Sequence, residues 1–191
     1  MNRYNIAIFA SGKGSNANQI MHYFNKHESI RVAVLIANKQ NIGALKYAEK
    51  RNVPSKLFTN SDFEKGETIL SFLSQKNVDF IVLAGFLRKL PLLLINKFDE
   101  RIINIHPSLL PKYGGKGMYG DHVHRAVLAN GDAESGITIH LVAEEYDNGK
   151  RIAQFFIPLN KSDNLNSLKS AVQQLEHSFF PHTIEQYILN F

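Results

Sequence analysis

The sequence predicts an α/β fold: an open, mostly parallel twisted sheet with helices on both faces, a late antiparallel strand and a long C-terminal helix. Three observations carry that reading. Short β-rich runs alternate with helical patterns through the first half of the chain, which is the rhythm of βαβ units. Helical crossovers join parallel strands, whereas antiparallel neighbours need only a short turn. The early strand segments are continuous apolar runs, such as Phe80-Ile81-Val82-Leu83-Ala84, as a sheet buried on both faces requires.

In chain order, strands are expected at 4–9, 30–37, more weakly 54–58, then 79–84 and 101–105. Helices are expected between them at 16–25, 43–51 and 61–75, the last with Phe63, Ile69, Leu70, Phe72 and Leu73 largely on one side. A glycine-rich loop follows at 114–120, then a helix near 122–129 and two strands at 136–142 and 151–157. The last helix is expected from about 163 to 189 on the spacing of Leu165, Leu168, Val172, Leu175 and Phe179, with Asp163 as N-cap and Pro181 as a kink. No repeat or linker interrupts the pattern, so residues 1–191 read as a single domain.

Composition removes several functional classes. The absence of cysteine excludes disulfides, thiolate catalysis and cysteine-rich metal sites. After Met1-Asn2-Arg3-Tyr4, the apolar stretch from Ile6 to Ala10 is too short for a signal peptide core, and no apolar run approaches the roughly 18–20 residues of a membrane span, so a cytoplasmic protein is expected. The formal charge of +5 comes from scattered Lys and Arg without a cluster, which favours small anionic ligands over nucleic acid. His122-x-His124 lies at a helix start with its two side chains on different faces, and no carboxylate cluster accompanies it, so no metal is expected.

Two segments bear chemistry. Ser11-Gly12-Lys13-Gly14-Ser15-Asn16 falls between the first strand and first helix, where glycines let backbone N–H groups approach an anion at a helix N-terminus. Gly12-x-Gly14-x-x-Ala17 also satisfies a loose dinucleotide fingerprint, but the next strand ends at Ala37-Asn38-Lys39 without an acid for an adenosine ribose. An ordinary glycine turn capped by Ser15 or Asn16 stays open as the plainer reading. Asn104-Ile105-His106-Pro107 sits at the carboxyl end of an expected parallel strand, where open sheets place ligands, and alternation puts Asn104 and His106 on the same side. A carboxamide can stabilise an oxyanion and an imidazole can move protons, a pairing suited to acyl transfer. Asp147, in Glu144-Glu145-Tyr146-Asp147-Asn148-Gly149, offers a carboxylate for the imidazole or serves only as a turn residue. His140, in an apolar strand, reads as structural.

Taken in order, Ser11 to Asn16, Leu83-Ala84-Gly85-Phe86-Leu87-Arg88, Asn104 to Pro111 and Tyr146 to Gly149 resemble the phosphoribosylglycinamide formyltransferases of the folate-dependent formyltransferase superfamily. The resemblance covers nearly the whole chain and implies a Rossmann-like formyltransferase fold, with phosphate bound in the half at about 1–100 and folate and catalysis in about 101–191. It implies 10-formyltetrahydrofolate as co-substrate, 5-phosphoribosylglycinamide as acceptor in purine biosynthesis, no metal, and a monomer or homodimer with small-molecule partners only. In that frame Asn104 holds the formyl oxygen, His106 transfers protons and Asp147 orients His106. Gly14, Ser15, Asn16, Ala17 and Asn18, with Gln173, Gln174, Leu175 and Glu176, hold phosphate and ribose. Leu87, Arg88, Lys89 and Leu90, with Asn104, Ala143, Glu144, Glu145, Tyr146 and Asp147, receive the folate.

The chain departs from the family pattern at the long Tyr113 to Gly120 loop and at Lys150, where many relatives have proline. Methionyl-tRNA formyltransferases continue into a further C-terminal domain and formyltetrahydrofolate deformylases begin with a regulatory one; this chain opens at its first strand and closes at Phe191, so neither is expected. The alternatives kept are a hydrolase of formyltetrahydrofolate, transfer to another amine, and a nucleotide-binding module without catalysis. The last is opposed by the joint presence of Asn104, His106 and Asp147.

Overall fold

The computed structural model describes residues 3–191; Met1 and Asn2, the head of the expected unexported N-terminus, lie outside the described residues. Seven strands form one sheet: β1 (Tyr4–Ala10), β2 (Ile30–Ala37), β3 (Ser55–Leu57), β4 (Phe80–Leu83), β5 (Ile102–His106), β6 (Glu134–Leu141) and β7 (Arg151–Pro158), in the order β3-β2-β1-β4-β5-β6-β7. The chain divides into two compact units, one ending at Ile103 and the other spanning Asn104–Phe191, so the boundary falls inside β5.

In the first unit β1 pairs in parallel with β2 and with β4, and β2 with β3. Consecutive residues Ile6 to Ala10 and Phe80 to Leu83 are all buried, which requires cover on both faces and explains why these strands read as unbroken apolar runs. Helix α1 (Ser15–Tyr23) buries Ala17, Ile20 and Met21, and α2 (Gly43–Lys50) buries Ala44 and Ala48, one turn apart. A Cβ on Gly14, whose φ is +79°, would stand 2.4–2.6 Å from the backbone and Cβ of Ala44. Gly14→Ala is therefore expected to destabilise the chain by about 1–3 kcal/mol, through left-handed strain and a backbone clash. A urea midpoint matching wild type would refute this.

The single helix expected at 61–75 is two. Thr59 forms a capping box with Asp62 at the start of α3 (Asn60–Lys65), and Gly66, at φ +82°, ends it before α4 (Glu67–Gln75) begins. The left-handed glycine makes the break, and a side chain there would meet Pro91 at 2.8 Å. A further helix, α5 (Leu92–Lys97), escaped the sequence reading because the run at 90–95 is apolar throughout and shows no helical period.

In the second unit α6 (Asp121–Asn130) precedes β6 and β7, which pair antiparallel from Glu134↔Pro158 to His140↔Arg151. The long α7 (Leu165–Leu189) follows. Its N-cap is Asn164 in a capping box with Ser167, not Asp163; the Asp163 carboxylate instead accepts from Asn160 N–H and Ser167 Oγ. The helix continues through Pro181. Its buried stripe is Leu168, Val172, Phe180, Ile184 and Ile188, so Leu165, Leu175 and Phe179 are only half-buried, and Phe179 stacks on Phe155 at 3.9 Å. Lys169 Nζ lies 2.6 Å from Asp121 Oδ1, tying α7 to the start of α6. No helix among the described residues is long and apolar enough to cross a membrane.

Candidate active site

Strand β5 delivers Asn104 and His106 at its carboxyl end, and Pro107 turns the chain away. The two side chains enter one polar cluster in the second unit. Nδ1 of His106 lies 3.5 Å from Asp147 Oδ2, and its Nε2–H donates to the Tyr113 carbonyl at 2.8 Å. Both ring nitrogens thus face oxygen. Asp147 adopts φ +56° in the turn between β6 and β7 and accepts the Gly115 N–H at 2.9 Å. It is therefore both the turn residue and the carboxylate that the sequence left as alternatives.

His140 joins this cluster, which the sequence reading missed. Its Nδ1 is 2.7 Å from the Leu141 carbonyl, which only accepts, so Nδ1 carries the proton. The Nε2 lone pair then accepts a hydrogen from Asn104 Nδ2 at 3.0 Å, and Asp147 Oδ1 lies 3.7 Å from the same nitrogen. The signal was present in β6, where Thr138 and His140 place polar groups at period two inside a buried apolar strand.

The segment after His106 is held by Thr138. Its hydroxyl donates to the Ser108 carbonyl (2.7 Å) and accepts from Leu110 N–H (2.9 Å) and Gln154 Nε2 (2.8 Å). Gln154 also donates to the Leu110 carbonyl, and Ser108 Oγ to the Lys112 carbonyl at 2.6 Å. Tyr113 is anchored by its hydroxyl on Asp132 at 3.0 Å. These bonds fix the loop that presents Tyr113 O to His106.

The other expected binding residues divide between the units. Gly14 is the N-cap of α1 and no side chain caps that helix, so Ser15 and Asn16 open the helix rather than cap it. Ala17 is buried, and Asn18 Oδ1 accepts from Arg51 Nε at 2.7 Å. Leu87 and Lys89 are exposed, Arg88 is half-buried, and the Leu90 side chain is in the core. In the second unit Gln173 and Gln174 are exposed on α7, and Leu175 and Glu176 half-buried. Ala143 is half-buried, and Glu144, Glu145 and Tyr146 lead to Asp147 as exposed residues. His122 is exposed and His124 buried on opposite sides of α6.

A family model described as formyl transferase matches residues 4–184. The phosphoribosylglycinamide formyltransferase of Haemophilus influenzae is 33% identical over 187 residues, spanning 95% of this chain and 86% of that one. The chain belongs to the phosphoribosylglycinamide formyltransferase family. Another family member, described as the chloroplastic phosphoribosylglycinamide formyltransferase of Vigna unguiculata, is 41% identical over 96% of the chain, which spans 60% of that relative's length. The crystal structure of the Brucella melitensis phosphoribosylglycinamide formyltransferase superposes with a TM-score of 0.86 at 31% identity, covering 97% of this chain and 96% of that one.

Burial is the largest influence on the ionisation of His124, His140 and His177 in this family member's second unit, and the first two are the more deeply buried. It pushes His140 below the ordinary imidazole value of 6.5, against the opposing Leu141 carbonyl and Asp147 charge. Burial likewise lowers His124, against Asp121. In the folded chain both take up protons less readily than their unfolded counterparts, which do so below about pH 6.5, so the unfolded state binds more protons and stability falls as pH falls. The slope is at most about 1.4 kcal/mol per pH unit for each group. Asp121 and Asp132, held below 3.8 by their partners, contribute only in more acid solution. The thermal midpoint is expected to drop between pH 7 and 5, and less so in His124→Phe; a flat profile for wild type would contradict it.

Proposed function

We propose that the chain transfers the formyl group of 10-formyltetrahydrofolate to the amine of 5-phosphoribosylglycinamide, giving the N-formyl ribonucleotide and tetrahydrofolate in purine biosynthesis. All 191 residues act in this reading as one cytoplasmic formyltransferase domain. The observation that carries it is the joining of Asn104, His106 and Asp147 in one cluster, although Asp147 is far from the other two in sequence. Family membership and the names of the similar proteins support the choice of substrates.

The chemistry needs a bond from the acceptor amine to the formyl carbon, loss of an amine proton and departure of the folate nitrogen with a proton. Negative charge develops on the formyl oxygen. An Asn104 amide group has two hydrogens, one of which goes to His140; the second is the donor for that oxygen, and the His140 bond fixes its direction. His106 takes the proton from the attacking amine and returns one to the leaving nitrogen; with its hydrogen on Nε2 the accepting lone pair is that of Nδ1, and Nε2 can accept only once that hydrogen has moved to Nδ1 beside Asp147. Asp147 orients the imidazole and balances its charge. In the first unit the N-terminus of α1, with Gly14, Ser15 and Asn16, suits a phosphate. In the second unit Gln173 carries an amide suited to phosphate and Glu176 a carboxylate suited to ribose hydroxyls. Backbone groups of residues 87–90 in the first unit suit a pterin edge, and those of residues 143–147 in the second unit have the same chemistry.

The test is ultraviolet detection of tetrahydrofolate formation from 10-formyltetrahydrofolate with and without the ribonucleotide. Release only when the ribonucleotide is present supports transfer. Release to water alone means a hydrolase, and no release in either condition rejects both.

A further inference from the structure

Ser11 opens the loop at 11–16 but has been given no contact to phosphate, folate or the reacting groups. The sheet order reverses at β1, with β2 on one side and β4 on the other, and open α/β sheets bind ligands beyond the strand ends at such a point. Past the last β1–β4 pair, Phe9↔Leu83, the two chains stay joined: Ala84 N–H donates to Phe9 O at 2.9 Å, and Ser11 N–H to Gly85 O at 3.1 Å. Gly85, at φ +71°, turns the chain, and the Phe86 ring packs against Phe9 and Phe63 with centroids 5.5 and 5.1 Å away.

The next rung is made by a side chain. Leu87 N–H donates to Ser11 Oγ at 3.1 Å, and Ser11 is only 4% exposed. Strand β1 has ended at Ala10, so the hydroxyl stands where another ladder acceptor would be. Alanine at this position would leave a part-buried N–H without its acceptor, at the entry to the 87–90 segment.

We infer that Ser11 is a positioning residue for folate: its hydroxyl fixes the 87–90 segment against the loop at 12–16 that precedes α1. The inference rests on the proposed function. It also assigns the backbone work in that segment, because the Leu87 N–H is committed inside the protein and the donors left for a pterin edge come from Arg88 to Leu90.

The experiment uses the full chain with Ser11→Ala and Ser11→Thr in the absorbance assay, varying each substrate in turn. Ser11→Ala is expected to raise the KM for 10-formyltetrahydrofolate on the order of tenfold, with the KM for the ribonucleotide changed less than about twofold. Ser11→Thr, which keeps the oxygen, recovers much of the folate KM. A purely structural role would move both constants and the melting temperature together. Equal rises in both constants, an unchanged folate constant, or a threonine variant no better than alanine overturns the assignment. A wild-type chain that releases no tetrahydrofolate with the ribonucleotide sinks the proposed function instead.

Discussion

His106→Ala is expected to lose formyl transfer by about three orders of magnitude while keeping the fold. The imidazole is the group in the cluster best able to carry a proton from the incoming amine to the departing folate nitrogen. Asn104 only donates a hydrogen bond, and His140 has both nitrogens engaged, by the Leu141 carbonyl and by Asn104. Removal of the ring leaves the Asn104 donor in place, so substrate binding survives better than turnover, and the loss falls on kcat more than on KM. The measurement is single-turnover tetrahydrofolate formation, with far-ultraviolet circular dichroism as the check on folding. Turnover within tenfold of wild type would remove His106 from the mechanism.

The second large effect is expected at Asp147. Alanine there removes the carboxylate from His106, His140 and the Gly115 N–H at once, and it places a residue poorly suited to φ +56° in the turn. A loss of about a hundredfold or more in kcat/KM should follow. Asparagine separates the causes, since it tolerates the left-handed turn and keeps an oxygen for Gly115 but has no charge. Asp147→Asn is expected to melt near wild type and still lose most activity. If it is fully active, the charge is unnecessary and Asp147 matters only for the shape of the turn.

The parts of the molecule legible in the sequence are those written in local patterns. The buried runs of β1, β2 and β4 could be read because strands covered on both faces must be apolar at every position, and Asn104 with His106 because a strand alternates. The meeting of Asp147 with His106 was legible only through the family resemblance, because nothing local fixes a contact across so many intervening residues. His140 reads as structural in its apolar strand, because nothing in the sequence shows that its Nε2 meets Asn104. The break at Gly66 and the helix α5 were missed for opposite reasons. A lone glycine inside a helical pattern is ambiguous, and an apolar stretch without polar interruptions has no readable period.

The three bonds gathered on the Thr138 hydroxyl bear on how this sequence can drift. Valine has nearly the same shape and would pass any inspection of packing, yet it would strand the Leu110 N–H, take the donor from the Ser108 carbonyl and one acceptor from the Gln154 amide, and loosen the chain that carries Tyr113 toward His106. Serine gives up a methyl group and keeps every partner. Descendants of this chain therefore have a narrow neutral path at that position, set by one oxygen atom rather than by the volume of the side chain.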